Sequence, residues 1–262
     1  MTIEMGNGQD APNLTVTRRR LLRAAGATAI LAGAAAASYR LGGFVAATPV
    51  AADGTFTPPL VFSRGDPAQP FVFLTYDDGY NTQAALDIAA AADSLGVKVT
   101  FLPVTNMVLA QQAVWRDIAA RGHGICNHTI SHPYLTTLSF REKQREILSA
   151  KDTLERVLQL PYPVTIMRPP FGKYDTDVIN ICRANGIRIV TGTVDSLGYT
   201  QGQDGSSRAT NVAISSASRG LITGGIVVAH MIPSDRNAAP TVLQAALDAG
   251  LQPSSLVDKI SG

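Results

Sequence analysis

The chain of 262 residues is poor in the residues that carry several common chemistries. It holds two cysteines, Cys126 and Cys182, which excludes a disulfide framework and a four-cysteine zinc site. Charged residues make up 16% of it, and the formal net charge of +2 is a local surplus. Residues 1–52 hold Arg18, Arg19, Arg20, Arg23 and Arg40 against Glu4 and Asp10, a net of +3, while the remaining 17 basic and 18 acidic residues leave −1. That balance argues against nucleic acid as a partner of the body of the chain. The alanine-rich stretch from Ala24 to Ala37 is too short and too small-residue-rich for a good membrane span. No internal repeat is visible. At 45% hydrophobic residues the chain is too apolar for disorder and ample for a core. Its length allows one large domain or two small ones, at roughly 100–200 residues each.

The N-terminus has the order of an export signal. Thr17-Arg18-Arg19-Arg20-Leu21-Leu22-Arg23 resembles the twin-arginine motif, and the apolar Ala24–Ala37 stretch follows it. Small residues offer cleavage after Ala37, Ala47 or Ala52. The expected organisation is a twin-arginine signal peptide and cleavage region over 1–52, a linker or lead-in strand over 53–70, and one catalytic domain over 71–262. The export machinery is then a partner. The mature protein is expected to be soluble and to work outside the cytoplasm or in the cell envelope, with an uncleaved anchor as the alternative.

From Phe71 onward, short apolar runs end abruptly in polar clusters. Phe71–Thr75 leads into Tyr76-Asp77-Asp78-Gly79, Gly124–Cys126 into Asn127-His128-Thr129-Ile130-Ser131-His132, and Val164–Met167 into Arg168-Pro169-Pro170-Phe171-Gly172. Ile187–Val194 leads into Asp195-Ser196, and Ile226–Ala229 into His230, while Val97–Val104 is a run without a charged end. Runs of this kind suit strands buried on both faces of a parallel sheet. Helices are predicted between them. Asn81 or Thr82 caps the first, which stops near Gly96. A Ser139/Glu142 capping box opens the second, whose stripe of Ile147, Ala150, Leu154, Val157 and Leu158 runs toward Pro161. Asp175 or Thr176 caps the third, which runs to Gly186. Alternation of this kind predicts an α/β fold with its chemistry at the carboxyl ends of the strands. About six strands are countable, which points to a distorted, incomplete (β/α) barrel.

His128 and His132 are four residues apart, and Asp78 ends another strand. Two imidazoles and a carboxylate suit a divalent ion and leave positions open for water. Asp77 beside Asp78 is costly without compensation. A metal on Asp78 and Arg168 against Asp77 would supply it and leave Asp77 free as a general base. A turn capping the next helix is the plainer reading of the pair. Pro169 and Pro170 have no amide hydrogen, so Phe171 carries the first backbone donor after Arg168, a candidate oxyanion contact. His230 reads either as a site residue or as a packed histidine. His123 and Trp115 read as structural, and the two thiols as free and buried.

Together these motifs resemble the polysaccharide deacetylase family, carbohydrate esterase family four. TYDDG is similar to its T-F-D-D-G motif, NHTISHP to H-[ST]-x-x-H, RPPFG to the arginine–proline–aromatic motif, and VVAH to the motif that ends in histidine. The resemblance covers roughly Phe71 to Ile260. It implies a distorted (β/α) barrel, a zinc or similar ion on Asp78, His128 and His132, and an acetylated glycan as substrate. It further implies Asp77 as base, Arg168 orienting it, and His230 as acid. One departure stands out. The fourth motif is usually D-[ST]-x-D-W and here reads Asp195-Ser196-Leu197-Gly198-Tyr199. The carboxylate that usually pairs with the last histidine is Gly198. His230 is therefore expected to lack that partner unless Asp195 or Asp204 replaces it. The departure keeps a glycan-binding pseudo-enzyme in view. A hydrolase of non-glycan amides shares every residue role.

Overall fold

A computed structural model describes residues 58–202 and 204–260. The leader read at 1–52, with its arginine pair and cleavage options, and residues 53–57 of the linker lie outside the described residues. The strands are β1 (Val61–Phe62), β2 (Phe71–Asp78), β3 (Thr100–Pro103), β4 (Gly124–Ile125), β5 (Ile166–Met167), β6 (Arg188–Val190), β7 (Val194–Asp195), β8 (Ile226–His230) and β9 (Gln252–Pro253). Every ladder between them is parallel. One sheet runs β4-β3-β2-β8-β7 with β9 added to β2, and the other runs β1-β6-β5.

Two seams turn these sheets into a distorted, incomplete barrel. At the first, the Asn127 amide donates to the Ile166 carbonyl at 3.0 Å and the Arg168 amide donates to the Asn127 carbonyl at 2.9 Å. At the second, the chain passes from β6 into β7 through Thr191, Gly192 and Thr193, so the run read as one strand serves both sheets. A Cβ on Gly192 would stand 2.3 Å from Val228 Cγ2, so only glycine lets this crossing segment lie against β8. The apolar runs are buried as their composition requires, with Val72 to Asp77 of β2 all buried. Phe73, Leu102, Ile166, Val190 and Ile226, one from each of five strands, meet in one cluster inside the barrel.

The helices are α1 (Thr82–Ser94), α2 (Thr105–Ala110), α3 (Gln112–Ala120), α4 (Phe140–Gln144), α5 (Ala150–Leu158), α6 (Thr176–Ala184), α7 (Ser207–Ser218), α8 (Pro233–Asp248) and α9 (Leu256–Lys259). Asn81 caps α1 by accepting from the Ala84 amide, the Ser139/Glu142 box opens α4, and Asp175 caps α6. The second predicted helix runs unbroken from 140 to 158 but changes its winding on the way. A π-helical turn at Arg145–Ser149 separates α4 from α5, and α5 ends at Leu158 before Gln159 with φ of 52°, not at Pro161. The larger cluster, including Ile88, Phe101, Trp115, Leu154, Val227 and Leu243, lies between sheet and helices. Cys126 and Cys182 are free and buried, as read.

Candidate metal and catalytic site

Parallel pairing puts every polar motif at one end of the sheet. Asp77 and Asp78 close β2, and His230 closes β8 in register with Asp77. The Asn127–His132 segment follows β4, and Arg168 follows β5. The backbone is strained where these motifs turn. Asp78 (φ 82°), Thr129 (69°), His132 (62°), Phe171 (58°) and Leu197 (59°) are five of the six non-glycine residues with positive φ among those described. Such dihedrals persist only where surrounding contacts hold them, and they concentrate at functional sites. Gly79 continues the turn after Asp78 with φ of 87°, and a Cβ there would meet Trp115 at 2.8 Å.

The segment carrying the two histidines is tied down from several sides. Asn127 Oδ1 accepts from the Thr129 amide at 2.7 Å, and Thr129 Oγ1 accepts from the His132 amide at 3.1 Å. Glu146, from the π-helical turn, reaches across. Its carboxylate accepts from the amides of Ile130 and Ser131, both at 3.0 Å, and from Ser131 Oγ at 2.9 Å. Glu146 was not singled out from the sequence. Its four-residue spacing from Ala150 at the edge of the apolar stripe was the available signal, because an acid there is buried and needs donors.

The sequence-predicted ligands converge. Asp78 Oδ1 lies 3.5 Å from His128 Nε2 and 3.2 Å from His132 Nε2. The ligand atoms of all three residues fall within 4.8 Å of one another. Ligands about 2.0–2.1 Å from one ion at tetrahedral angles stand roughly 3.3 Å apart, so the spacing fits a single ion. The donor set fits too. His128 Nδ1 lies 2.8 Å from the Arg168 carbonyl, which can only accept. That nitrogen therefore carries a proton, which fixes the ring so that Nε2 is the atom turned toward the Asp78 oxygen and toward an ion between them. Burial would raise the Asp78 pKa, but bonding to His128 and His132 outweighs it and holds the carboxyl well below the usual range. These residues form a divalent-metal-binding site. The ring of Phe171 packs edge-on against His132 at 4.6 Å and stacks on Tyr134 at 3.9 Å.

Asp77 differs from its neighbour in its partner, which is Arg168. Arg168 Nη1 donates to Asp77 Oδ1 at 2.6 Å and to Thr75 Oγ1 at 2.9 Å, while Nη2 donates to the Thr191 carbonyl at 2.8 Å. Asp77 and Arg168 are 3% and 4% exposed, so this is a buried ion pair with most of its hydrogen bonds made. The second Asp77 oxygen faces His128 Nε2 at 4.0 Å, beside the metal ligands.

His230 departs from expectation. Neither Asp195 nor Asp204 forms an ion pair with His230 within 4.0 Å among the described residues; Asp195 Oδ1 accepts from the Leu197 amide and Asp204 Oδ1 from the Ser206 amide, each within its own turn. A carboxylate is nonetheless present. Asp235, in the first turn of α8 and 2% exposed, accepts from the His230 amide at 2.8 Å, and its Oδ2 lies 3.8 Å from His230 Nδ1. Burial pushes the His230 pKa down, but Asp235, Asp77 and Asp78 outweigh it and lift it to about 9. The expectation of an unpartnered His230 is therefore corrected. In this turn the positive φ belongs to Leu197, not to Gly198.

A family model for polysaccharide deacetylases matches residues 64–190. The chitooligosaccharide deacetylase of Bradyrhizobium sp. (strain ANU 289) is 28% identical over 159 residues, covering 61% of this chain and 69% of that protein. The chitooligosaccharide deacetylase of Sinorhizobium fredii is 30% identical over 138 residues, covering 50% of this chain and 61% of that protein. Among solved structures, a peptidoglycan N-acetylglucosamine deacetylase superposes with a TM-score of 0.70 at 21% identity, covering 77% of this chain and 93% of the other.

Proposed function

Because this chain belongs to the polysaccharide deacetylase family, we propose that it is a metal-dependent hydrolase that removes acetyl groups, N-linked or O-linked, from a glycan. The observation that carries the reading is the Asp78, His128 and His132 cluster with the Arg168-paired Asp77 beside it. Asp78, His128 and His132 would hold a divalent ion, zinc being best suited to two imidazoles and a carboxylate, and the ion would supply Lewis-acid chemistry, lowering the pKa of water and polarising a carbonyl. Asp77, held by Arg168, accepts the proton of the attacking water. The Phe171 amide, in its left-handed turn, donates to the oxygen that gains charge as the acetyl carbon becomes tetrahedral. His230 donates a proton to the departing nitrogen or oxygen, so the amine or alcohol leaves neutral.

The arginine pair at Arg18 and Arg19 supports a working place outside the cytoplasm, with 1–52 as the leader and 71–262 as the catalytic domain. Among the described residues no helix is long and apolar enough to cross a membrane. The reading of an inactive glycan-binding domain loses its main support, since it rested on Gly198 and a carboxylate reaches His230 from elsewhere. A panel of acetylated chitooligosaccharides, peptidoglycan and acetylated xylan, assayed for acetate release with and without chelator, tests the reading. Chelator-sensitive release from one or more of them is expected. No release from any of them by metal-loaded protein refutes it, and release from simple non-glycan amides alone would move the substrate class.

A further inference from the structure

Two buried polar atoms near the site have no hydrogen-bond partner: His230 Nδ1 and Asp235 Oδ1. Buried polar atoms are ordinarily paired, so two orphans on adjacent side chains ask for an explanation. Their side chains already approach, with Oδ2 at 3.8 Å from Nδ1, and closing that gap by about 1 Å makes a hydrogen bond. Asp235 is also unlike an ordinary acid at a helix start. Such an acid faces solvent and the amides of its own helix, whereas Asp235 is buried and bonds back to the amide of His230 on β8.

Gly198 explains why it can do so. A Cβ on Gly198 would stand 2.5 Å from Asp235 Oδ1 and 2.9 Å from Asp235 Cγ. Ser234 Oγ donates to the Gly198 carbonyl at 3.1 Å, which fastens the α8 start to this turn. Any side chain at 198 and the carboxylate of Asp235 compete for one space. We infer that Asp235 is the positioning residue for His230, supplying from α8 the carboxylate that the fourth motif lacks at Gly198. The inference rests on the reading of His230 as the acid.

The consequence is chemical. A carboxylate on Nδ1 holds the proton there in the neutral ring, turns Nε2 toward the site, and stabilises the imidazolium that must form before a proton is given away. The other charged or titratable groups facing His230 are Asp77 and Asp78 from β2, with Arg168 behind Asp77, Asp195 from β7, and Tyr199, whose ring meets the imidazole edge-on at 5.1 Å. Tyr76 of β2 lies in the field of Asp235. Among the described carboxylates, Asp235 is the one within 4 Å of Nδ1.

The test uses the metal-loaded full chain and its Asp235→Asn, Asp235→Ala and Asp235→Ala/Gly198→Asp variants, each checked for folding by circular dichroism. Asparagine keeps the shape and the bond from the His230 amide, which guards against simple misfolding. Two substrates separate the roles: an N-acetylated chitooligosaccharide, whose amine must be protonated to leave, and 4-nitrophenyl acetate, whose phenolate leaves unprotonated. Asp235→Asn and Asp235→Ala should lower kcat on the amide about 10- to 100-fold with little change in KM, and lower ester hydrolysis far less. Returning the carboxylate through Gly198→Asp in the Asp235→Ala background should recover part of the amide rate. Equal losses on both substrates, or no loss on the amide, overturn the inference. Imidazole nitrogen NMR of metal-free protein gives a readout independent of turnover. Above the pH at which the ring becomes neutral, His230 should keep its one proton on Nδ1, and Asp235→Asn should shift that signal; an unchanged spectrum overturns the inference even if the enzyme reading stands. If the parent protein releases no acetate at all, the functional reading fails and the NMR result still decides the Asp235–His230 link.

Discussion

Replacing Arg168 by methionine should be one of the most damaging single changes in the protein, and the structure says by how much. The guanidinium makes four hydrogen bonds, to Asp77, to Thr75 and twice to the Thr191 carbonyl. Thr75 Oγ1 keeps its own bond to the Val227 carbonyl at 2.6 Å, so it is not orphaned. Asp77 is the problem. At 3% exposure its carboxylate loses its cation, and breaking a buried pair from one side costs about 3–5 kcal/mol. For a domain of this size that corresponds to a fall in Tm of roughly 6–20 °C. Removing both partners, Arg168→Met with Asp77→Leu, leaves no stranded charge and should return most of that stability. The assay is thermal unfolding of the four members of the cycle without metal, because a bound cation near Asp77 would mask part of the loss. A coupling energy under about 1 kcal/mol would refute the reasoning, since it would mean that Asp77 finds compensation elsewhere.

The remaining predictions use other parts of the site. His128→Ala and His132→Ala should lose bound metal and activity together, while Asp77→Asn should lose turnover and keep its metal, as metal analysis of purified protein would show; a metal-free Asp77→Asn would reverse the roles given to the two aspartates. Glu146→Ala removes three hydrogen bonds from the histidine segment and should weaken metal binding about 10- to 100-fold in chelator competition; unaltered affinity would mean that Asn127 and Thr129 hold the segment alone. His123 is buried, its Nδ1 accepts from the Val99 amide, and burial lowers its pKa to about 4. Stability from that shift is therefore complete above the ordinary value near 6.5 and lost as pH falls toward 4, at up to about 1.4 kcal/mol per pH unit. His123→Asn should flatten that limb of a stability-against-pH curve, and an unchanged slope would assign it to other groups. Lysines at Arg18 and Arg19 should abolish export, read as protein outside the cell, and undiminished secretion would sink the twin-arginine reading.

Most of the site was legible because a parallel sheet exposes chemistry only where its strands stop. Apolar runs that end in Asp77-Asp78, Asn127-His128, Arg168 and His230 mark those ends in the sequence itself, and the register of β2 with β8 then sets Asp77 beside His230. The helices α7 and α8 were not read. Their buried positions are held largely by alanine and serine, such as Ala209, Ala213, Ala238 and Ala239, and Pro240 sits inside α8 where a proline ordinarily signals an end. The split of β6 from β7 was hidden for a different reason, since Thr191-Gly192-Thr193 continues the apolar run and only the neighbouring Val228 demands the glycine.

Asp235 was missed for a reason that bears on how a departure from a family pattern is judged. A histidine needs a carboxylate at a point in space, not at a place in a motif. The family's fourth motif would place that group at position 198, after β7, whereas here an aspartate of α8 lies 3.8 Å from the ring, five residues after the histidine in sequence. A Pro-Ser-Asp start to a helix reads locally as an acid favoured by the helix dipole, and nothing in its spacing from His230 distinguishes it from that. The glycine at 198 is then not a lost residue but the space into which Asp235 fits. Gly198→Asp in the parent protein would therefore set two carboxylates in one volume, and it should weaken the fold rather than improve the acid.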